Sequence, residues 1–431
     1  MKSSINLYVL SFNCGKHFLD TNAFSSQIFS SLVSPELPDL LVLSLQELAP
    51  LPHSFIGGSF LAPYLTRFYD AVHLAAERFP GSNAETFTPV ASHNLGPTSI
   101  IIFAKDPSTI VDIESAEIGV GFWGLGNKGA VGLRLRYHDT MFTFIAAHLT
   151  AMEWKLQKRN EDWKKIVQGL VFHDDVRKGI GEKTPLLSKK LHGASIYKAN
   201  SHLFVAGDLN YRTSINPPTK NDYSDTFPQP HFLINNTRHY MNLLKSDQLN
   251  QARLSGKTCH GLTEAEIKFP PTYKYDPKKQ TLLSDKKNPD FWYWAAHRWP
   301  SWCDRILYLD LPSWLGNIHA EASMKVLNYY TLPVTETSDH QPVVLEIQVP
   351  LIAIPEPNYE MESSDPRIRP PYEIDPSWRG RRIRAEILET SIGWALWLLT
   401  TSEGGWLVFV VTVGLGLASL SLKSATFSRG R

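Results

Sequence analysis

The chain has 431 residues, of which 43% are hydrophobic and 20% charged, with a formal net charge of +1. That length and apolar content belong to a globular protein with a large core and set aside disordered or fibrous classes. The near-neutral total offers no broad basic surface for a nucleic-acid partner. Three scattered cysteines, Cys14, Cys259 and Cys303, supply neither a disulfide framework nor a zinc site.

The first residues, Met1-Lys2-Ser3-Ser4, lead into a strand pattern without the apolar region of a signal peptide, which predicts a reducing, cytosol-facing compartment. Tyr8-Val9-Leu10-Ser11-Phe12 then ends on Asn13, and Leu40-Leu41-Val42-Leu43-Ser44-Leu45 ends on Gln46-Glu47. Short apolar runs bounded by turn residues predict core strands. Gly129–Tyr137 and 141–147 predict neighbouring strands joined at His138-Asp139-Thr140, the second delivering His148. Residues 152–170 mix charged and apolar side chains as an exposed helix does, and 171–201 reads as a polar surface excursion. Leu203-Phe204-Val205-Ala206 runs into Gly207-Asp208-Leu209-Asn210, and 212–231 reads as a loop beside it. Ser301-Trp302-Cys303-Asp304-Arg305 opens a strand, and Thr337-Ser338-Asp339-His340 precedes the apolar Val343-Val344-Leu345.

From 350 to 377 the chain is rich in proline and predicts an extended, semi-stiff spacer outside any core. Arg379, Arg381, Arg382 and Arg384 follow, and 404–422 then carries no charged residue over 19 positions. At ~1.5 Å per residue this makes about 28 Å of helix, close to the ~30 Å hydrocarbon core of a bilayer. Glu403 is costly at a bilayer centre, so the span starts after it, with 392–400 lying at the surface. The expected division is 1–349 as a catalytic domain, 350–390 as a Pro-rich basic linker and 391–431 as a membrane anchor. An anchor so placed predicts post-translational insertion into the endoplasmic reticulum membrane, with the domain facing the cytosol. Lys423, Arg429 and Arg431 beyond the span keep the outer mitochondrial membrane as the alternative.

A sheet gathers residues distant in sequence at one edge, where open α/β sheets bind ligands. Carboxylates, amides and histidines without a cysteine cluster suit a hard, oxygen-seeking cation such as Mg²⁺. Singly, Asn13, Asp208 and Asp339 read as turn formers or caps, and Cys14 and Cys303 as packing residues. Their order along the chain makes the case for a metal-dependent hydrolase.

That order extends to whole segments. Gly126-Asn127-Lys128-Gly129-Ala130-Val131, His148-Leu149 with Arg159-Asn160-Glu161-Asp162-Trp163, and Gly207-Asp208-Leu209-Asn210-Tyr211-Arg212 are three of them. Phe269-Pro270-Pro271-Thr272-Tyr273-Lys274-Tyr275-Asp276, Trp302-Cys303-Asp304-Arg305-Ile306-Leu307 and Ser338-Asp339-His340-Gln341-Pro342-Val343 complete the set. Together, over roughly residues 5–348, they resemble the inositol polyphosphate 5-phosphatase family within the exonuclease–endonuclease–phosphatase superfamily. The resemblance implies two packed mixed β-sheets flanked by helices, a four-layer α/β sandwich, to which the sequence adds the C-terminal transmembrane helix.

It further implies a Mg²⁺ cofactor held by Glu47, with Asn13 and Asp339 completing or orienting its shell. Asp208 would orient or deprotonate the attacking water, and Asn210 would donate to a phosphoryl oxygen or hold the nucleophile. His340 would contact the phosphoryl group with its ring fixed by Asp304, and His148 would be a second donor. Lys128 would reach a phosphate from between glycines, and Tyr273 and Lys274 would grip the ring 4-phosphate. Arg159, Asn160 and Arg305 match motif positions as substrate contacts, with a structural role equally open. The implied activity is removal of the 5-phosphate of phosphatidylinositol 4,5-bisphosphate at a membrane, giving phosphatidylinositol 4-phosphate, with no obligate protein partner. The alternatives are another phosphodiesterase of the superfamily, a nuclease or sphingomyelinase, or an inactive lipid-binding adaptor. Lys128 with Tyr273-Lys274 disfavours the first two, and intact Glu47, Asp208, Asn210 and His340 disfavour the last.

Overall fold

Alternation along the strands sorts side chains into layers. In β1 (Ser4–Asn13), Ile5, Leu7 and Val9 enter one apolar cluster while Tyr8, Leu10 and Phe12 enter another, as the two-residue period of a strand requires. The computed structural model describes residues 3–80, 86–172, 193–283, 289–315, 321–360 and 363–428. Within them, β2 (Leu40–Gln46), β3 (Thr88–Leu95) and β4 (Thr98–Ala104) join β1 in a first six-stranded sheet. The second sheet is built from β5 (Ile110–Gly119), β6 (Gly129–Tyr137), β7 (Thr140–His148), β8 (Ser201–Asp208), β9 (Leu262–Thr263) and β10 (Asp304–Leu309). β11 (Lys325–Thr331) and β12 (Val343–Pro350) return to the first sheet, giving the orders β11-β12-β1-β2-β4-β3 and β5-β6-β7-β8-β10-β9. β1 and β2 are parallel, as are β7 and β8, while the other pairs run antiparallel, so both sheets are mixed.

The sheets pack face to face through Leu7, Val9, Leu40, Val42 and Ile102 on one side and Val131, Leu133, Phe144 and Phe204 on the other. Outside the first sheet lie α1 (Thr21–Gln27) and α3 (Ala62–Glu77), with α2 (Leu51–Ile56) between them in sequence. Outside the second lie α4 (Leu156–Gly169) and the helix Gln248–Leu254. These are the four layers expected. The predicted helix over 152–170 begins with a 3-10 turn at Glu153–Lys155, and most of the excursion 171–201 falls outside the described residues.

The expected free spacer is instead strapped to the domain. Pro355 accepts from Trp314 Nε1 at 3.0 Å, Arg367 donates to the Asp310 carbonyl at 2.7 Å, and Asp375 N–H bonds the Gln168 carbonyl at 2.9 Å. The spacer's own Ile354 and Ile368 are buried. Proline removes N–H donors but not carbonyl acceptors or apolar neighbours, so such a stretch can still be sewn down. The helix Trp378–Thr400 then runs unbroken through the expected linker–anchor boundary and packs on α2, Phe60 meeting Trp394 and Trp397 at 5.6 and 5.7 Å between ring centres. Beyond it, Ser402–Ser428 is helical. Among the described residues no single helix is long and apolar enough to cross a membrane; Trp378–Thr400 and Ser402–Leu415, bent by 84°, pass that test as a pair.

Candidate active site

The strand ends converge as the topology demands. β1 and β2 deliver Asn13 and Gln46-Glu47, and the parallel β7 and β8 deliver His148 and Asp208 at the same rung. β10 runs antiparallel to β8, so its first residue, Asp304, sits opposite Asp208. β12 begins beside Ser11 of β1, which places the preceding His340 at the same edge. The period of two points Asp304, like Ile306 and Tyr308, between the sheets.

At the centre, His340 Nδ1 and Asp304 Oδ2 are 2.8 Å apart, and Thr272 Oγ1 donates to the same carboxylate oxygen at 2.6 Å. Asp208 Oδ2 lies 4.0 Å from His340 Nε2 and 3.2 Å from His148 Nε2, and it accepts from Asn13 Nδ2 at 3.0 Å. This last bond ties the two sheets together. The Asn13 carbonyl receives the Ser338 hydroxyl at 2.5 Å, and that hydroxyl caps the His340 N–H at 3.1 Å. All of these groups are buried.

Charge follows from that burial. For His340 burial favours the neutral ring, but Asp304, with Asp208 and Asp339 beyond it, outweighs this and lifts the imidazole to about 9. Burial also opposes a charge on Asp208, yet His148, His340 and Lys128 hold its carboxyl well below the usual range. Burial raises Asp304, which Asp208 reinforces and the His340 and Thr272 hydrogen bonds oppose. His148 is pushed down by burial and then by Lys128. The centre is thus His340 held between two facing acidic residues, Asp304 and Asp208, with His148 alongside the second.

Around it lies a more open rim. Lys128 bonds His148 Nε2 and stands 4.0 Å from Glu47, whose other oxygen pairs with Lys16 at 3.1 Å. Burial tends to raise the Glu47 carboxyl, but His148, Lys128 and Lys16 together bring it below its ordinary value. Lys274 pairs with Asp339, and Tyr273 packs on the His340 ring with 4.6 Å between centres. Glu47 and Asn210 adopt left-handed backbone at φ 47° and 57°. Strained non-glycine residues of this kind gather at functional sites.

Not every predicted contact reaches the opening. Arg305 follows Asp304 by one residue and therefore faces the helix layer, fully buried, with Glu264 at 2.5 Å, Asp247 at 2.9 Å and Asn250 at 2.9 Å. Arg159 is equally buried, donating to the Thr150 and Met152 carbonyls and to Gln248. Asn160 accepts from the Tyr211 hydroxyl at 2.9 Å. Of the two roles left open for these three, the geometry gives the structural one. Asn210 also spends its amide locally: Arg212 bonds its Oδ1 at 2.5 Å, and its Nδ2 donates to the Leu149 carbonyl at 3.1 Å. Among the described residues, the carboxylate–histidine cluster compact enough for an ion is Asp208, Asp304 and His340, while Glu47, Asn13 and Asp339, the expected metal ligands, stand at the ends of strands of the first sheet or just beside them.

Several residues of the site had gone unmarked. Arg212 lies over the Tyr273 ring at 4.4 Å, and Thr272 and Ser338 orient the His340–Asp304 pair. All three stand inside the quoted segments, where their polarity next to apolar strand residues was the available signal. A cavity of about 890 Å³ lined by Gln27, Tyr275, Trp292, Val334 and Gln341 lies apart from the catalytic cluster.

The chain is 30% identical over 316 residues to the polyphosphatidylinositol phosphatase INP53 of Saccharomyces cerevisiae, covering 71% of this chain and 23% of that protein. It is 29% identical over 259 residues to human synaptojanin-2, covering 56% of this chain and 14% of that protein. It thus spans less than a quarter of the curated relatives' length. In fold it resembles the inositol polyphosphate 5-phosphatase domain of SPsynaptojanin, solved with inositol (1,4)-bisphosphate and calcium ion. That likeness has a TM-score of 0.60 and 22% identity over 92% of this chain and 93% of that one. A Cimex nitrophorin bound to NO matches at a TM-score of 0.50, 18% identity and 81% of this chain and 100% of that one, so the fold by itself does not fix an activity. Residues 10–346 match endonuclease/exonuclease/phosphatase family 2, and the chain belongs to that family.

Proposed function

We propose that the chain is a divalent-metal-dependent phosphoinositide 5-phosphatase that converts phosphatidylinositol 4,5-bisphosphate to phosphatidylinositol 4-phosphate. The observation that carries this reading is the placement of His340 between Asp304 and Asp208 beside Lys128 and His148, a set of nitrogen groups gathered around one buried carboxyl group. Phosphoryl transfer asks mainly for positioning and charge stabilisation. Asp208 orients a water in line with the 5-phosphorus. The water oxygen bonds to phosphorus as the ester bond to the ring oxygen breaks, and the water's proton passes to Asp208. The ring oxygen takes a proton from solvent, leaving an inositol hydroxyl and inorganic phosphate. His340 and Lys128 donate to the phosphoryl oxygens, and Lys274 with Tyr273 holds the neighbouring 4-phosphate.

The donor chemistry fits Mg²⁺ at Glu47 better than at the Asp208–Asp304–His340 group. There the imidazolium already supplies the positive charge, and Asp304 Oδ2 is committed to His340 and Thr272. Glu47 is ionised and a quarter exposed, with Asp339 and Asn13 on the same sheet edge. Mg²⁺ bound there would relieve charge on the phosphate and the departing oxygen.

Membrane attachment through the C-terminal helix is part of the same reading. Trp406, Leu407, Phe409, Val411 and Leu415 are all exposed, and apolar side chains pointing outward all round a helix fit a bilayer better than water. The deciding experiment is phosphate release from defined headgroups and vesicle-borne phosphoinositides, with and without Mg²⁺. Equal release of the 5-phosphate in excess chelator would remove the metal, and release of another phosphate would remove the assignment.

A further inference from the structure

The helix Trp378–Thr400 lies outside the family-matched residues 10–346, yet it touches a turn of the site and the helix that follows another of its loops. Its Glu389, 4% exposed, accepts from the Gly126 backbone N–H at 2.7 Å. Gly126 opens the Gly126-Asn127-Lys128-Gly129 turn that presents Lys128 to His148 and Glu47. No side chain fits at 126, where a Cβ would lie 2.5 Å from Leu95 Cγ and 3.1 Å from Glu389 Oε1. The turn is therefore gripped between the end of β3 and the helix.

Glu389 is itself fixed. Arg382 bonds both its oxygens at 3.0 and 2.9 Å and also pairs with Glu117, which lies 2.8 Å from His93 Nε2. A buried carboxylate held by two committed donors, the Arg382 guanidinium and the Gly126 amide, keeps its position because leaving either unpaired is costly. On the other flank Gly393 passes so close to α2 that a Cβ there would sit 2.9 Å from Phe55 Cβ. α2 starts four residues after Glu47. One helix thus braces the turn that bears Lys128 and the helix that follows the Glu47 loop.

We propose that Glu389 is a positioning residue for Lys128, and that the helix Trp378–Thr400 acts as a brace linking the apolar C-terminal segment to the catalytic rim. The proposal rests on Lys128 meeting a substrate phosphate, as argued above. Losing Glu389 leaves the Gly126 amide without its acceptor and lets the turn relax. Displacements near 1 Å at a positioned group cost up to ~10²-fold in rate, so a loss of about tenfold is expected for a turn still held by Leu95.

The test uses the full chain carrying Glu389→Ala, Glu389→Gln, Lys128→Ala, and the Glu389→Ala/Lys128→Ala pair. Each is assayed for phosphate release from inositol 1,4,5-trisphosphate and for deuterium exchange across 120–130. Glu389→Ala should slow kcat about tenfold and raise exchange in that segment. Glu389→Gln, which keeps an oxygen for the Gly126 amide, should restore most of both. The double variant should be no slower than Lys128→Ala alone. Multiplying losses in the double variant would overturn the route through Lys128, and unchanged exchange in Glu389→Ala would overturn the brace. A wild-type chain that releases no phosphate from any inositol phosphate defeats the functional reading instead, and the exchange measurement then decides the brace alone.

Discussion

The buried centre and the rim of this site are built on different physics. His340, Asp304, Asp208, His148 and Asn13 sit at or beside strand ends, below one-tenth exposure, each held by at least one other member. Glu47, Lys128, Lys274 and Asp339 sit on loops, a fifth to a quarter exposed, and pair among themselves. Cations and carboxylates in such half-solvated pairs exchange partners cheaply, since exposed ion pairs are worth ~0–1 kcal/mol. Buried charges lack that freedom. The centre is therefore suited to chemistry that never changes, and the rim to admitting a charged ligand by releasing its own pairs.

The sharpest way to break this comparison is to remove a member of the centre. Asp208→Asn or His340→Ala should lower turnover on a soluble headgroup by ~10²–10³ or more, the loss typical of one preorganised group. Near wild-type turnover in either folded variant, checked by circular dichroism, would dissolve the distinction. A rim carboxylate should behave differently. Glu47→Gln should raise the Mg²⁺ needed for half-maximal rate by at least about 10–100-fold, a loss seen even for groups that only orient a ligand, while excess Mg²⁺ recovers part of the rate. A titration that leaves the Mg²⁺ requirement unmoved places the ion elsewhere.

Lys274→Ala should be smaller again and selective, reducing kcat/KM about tenfold or more for substrates bearing a 4-phosphate and little for those without one. An equal loss on both would show that Lys274 serves the fold. Smallest in its effect on substrate is Arg305→Met. It leaves Asp247 and Glu264 facing no cation and should cost about 3–5 kcal/mol of stability, seen as a lowered denaturation midpoint, with KM unchanged at temperatures where the variant stays folded. A raised KM with unaltered stability would return Arg305 to the substrate.

Most of the centre, and the rim carboxylate Glu47, were legible in the sequence because apolar runs ending on Asn13, Glu47, His148 and Asp208 can be read one strand at a time. The strand period of two carries the split between Asp304 and Arg305 as well, but motif position alone set Arg305 among the substrate contacts. β3 escaped because all but its last residue are partly or wholly exposed and half of its residues are polar, leaving no long apolar run to see. The strapped segment 350–377 escaped for a different reason. Its fixings, such as Arg367 to the Asp310 carbonyl and Asp375 to Gln168, join residues far apart in sequence, which local composition cannot report. Glu389 was invisible on both counts, one of two carboxylates in an arginine-rich helix, with a partner 263 residues away.

The hydrogen bond from Asn13 to Asp208 joins residues 195 apart, and Ser44 reaches across the same seam to the Ala206 carbonyl. One sheet brings Asn13, Glu47 and His340; the other brings Lys128, His148, Asp208 and Asp304. During synthesis Asn13 and Glu47 therefore leave the ribosome long before His340, which completes the set. Assembly of so many distant pairings is intrinsically slow. Chemical competence arrives only when the two sheets close on each other, so neither sheet alone carries a complete site.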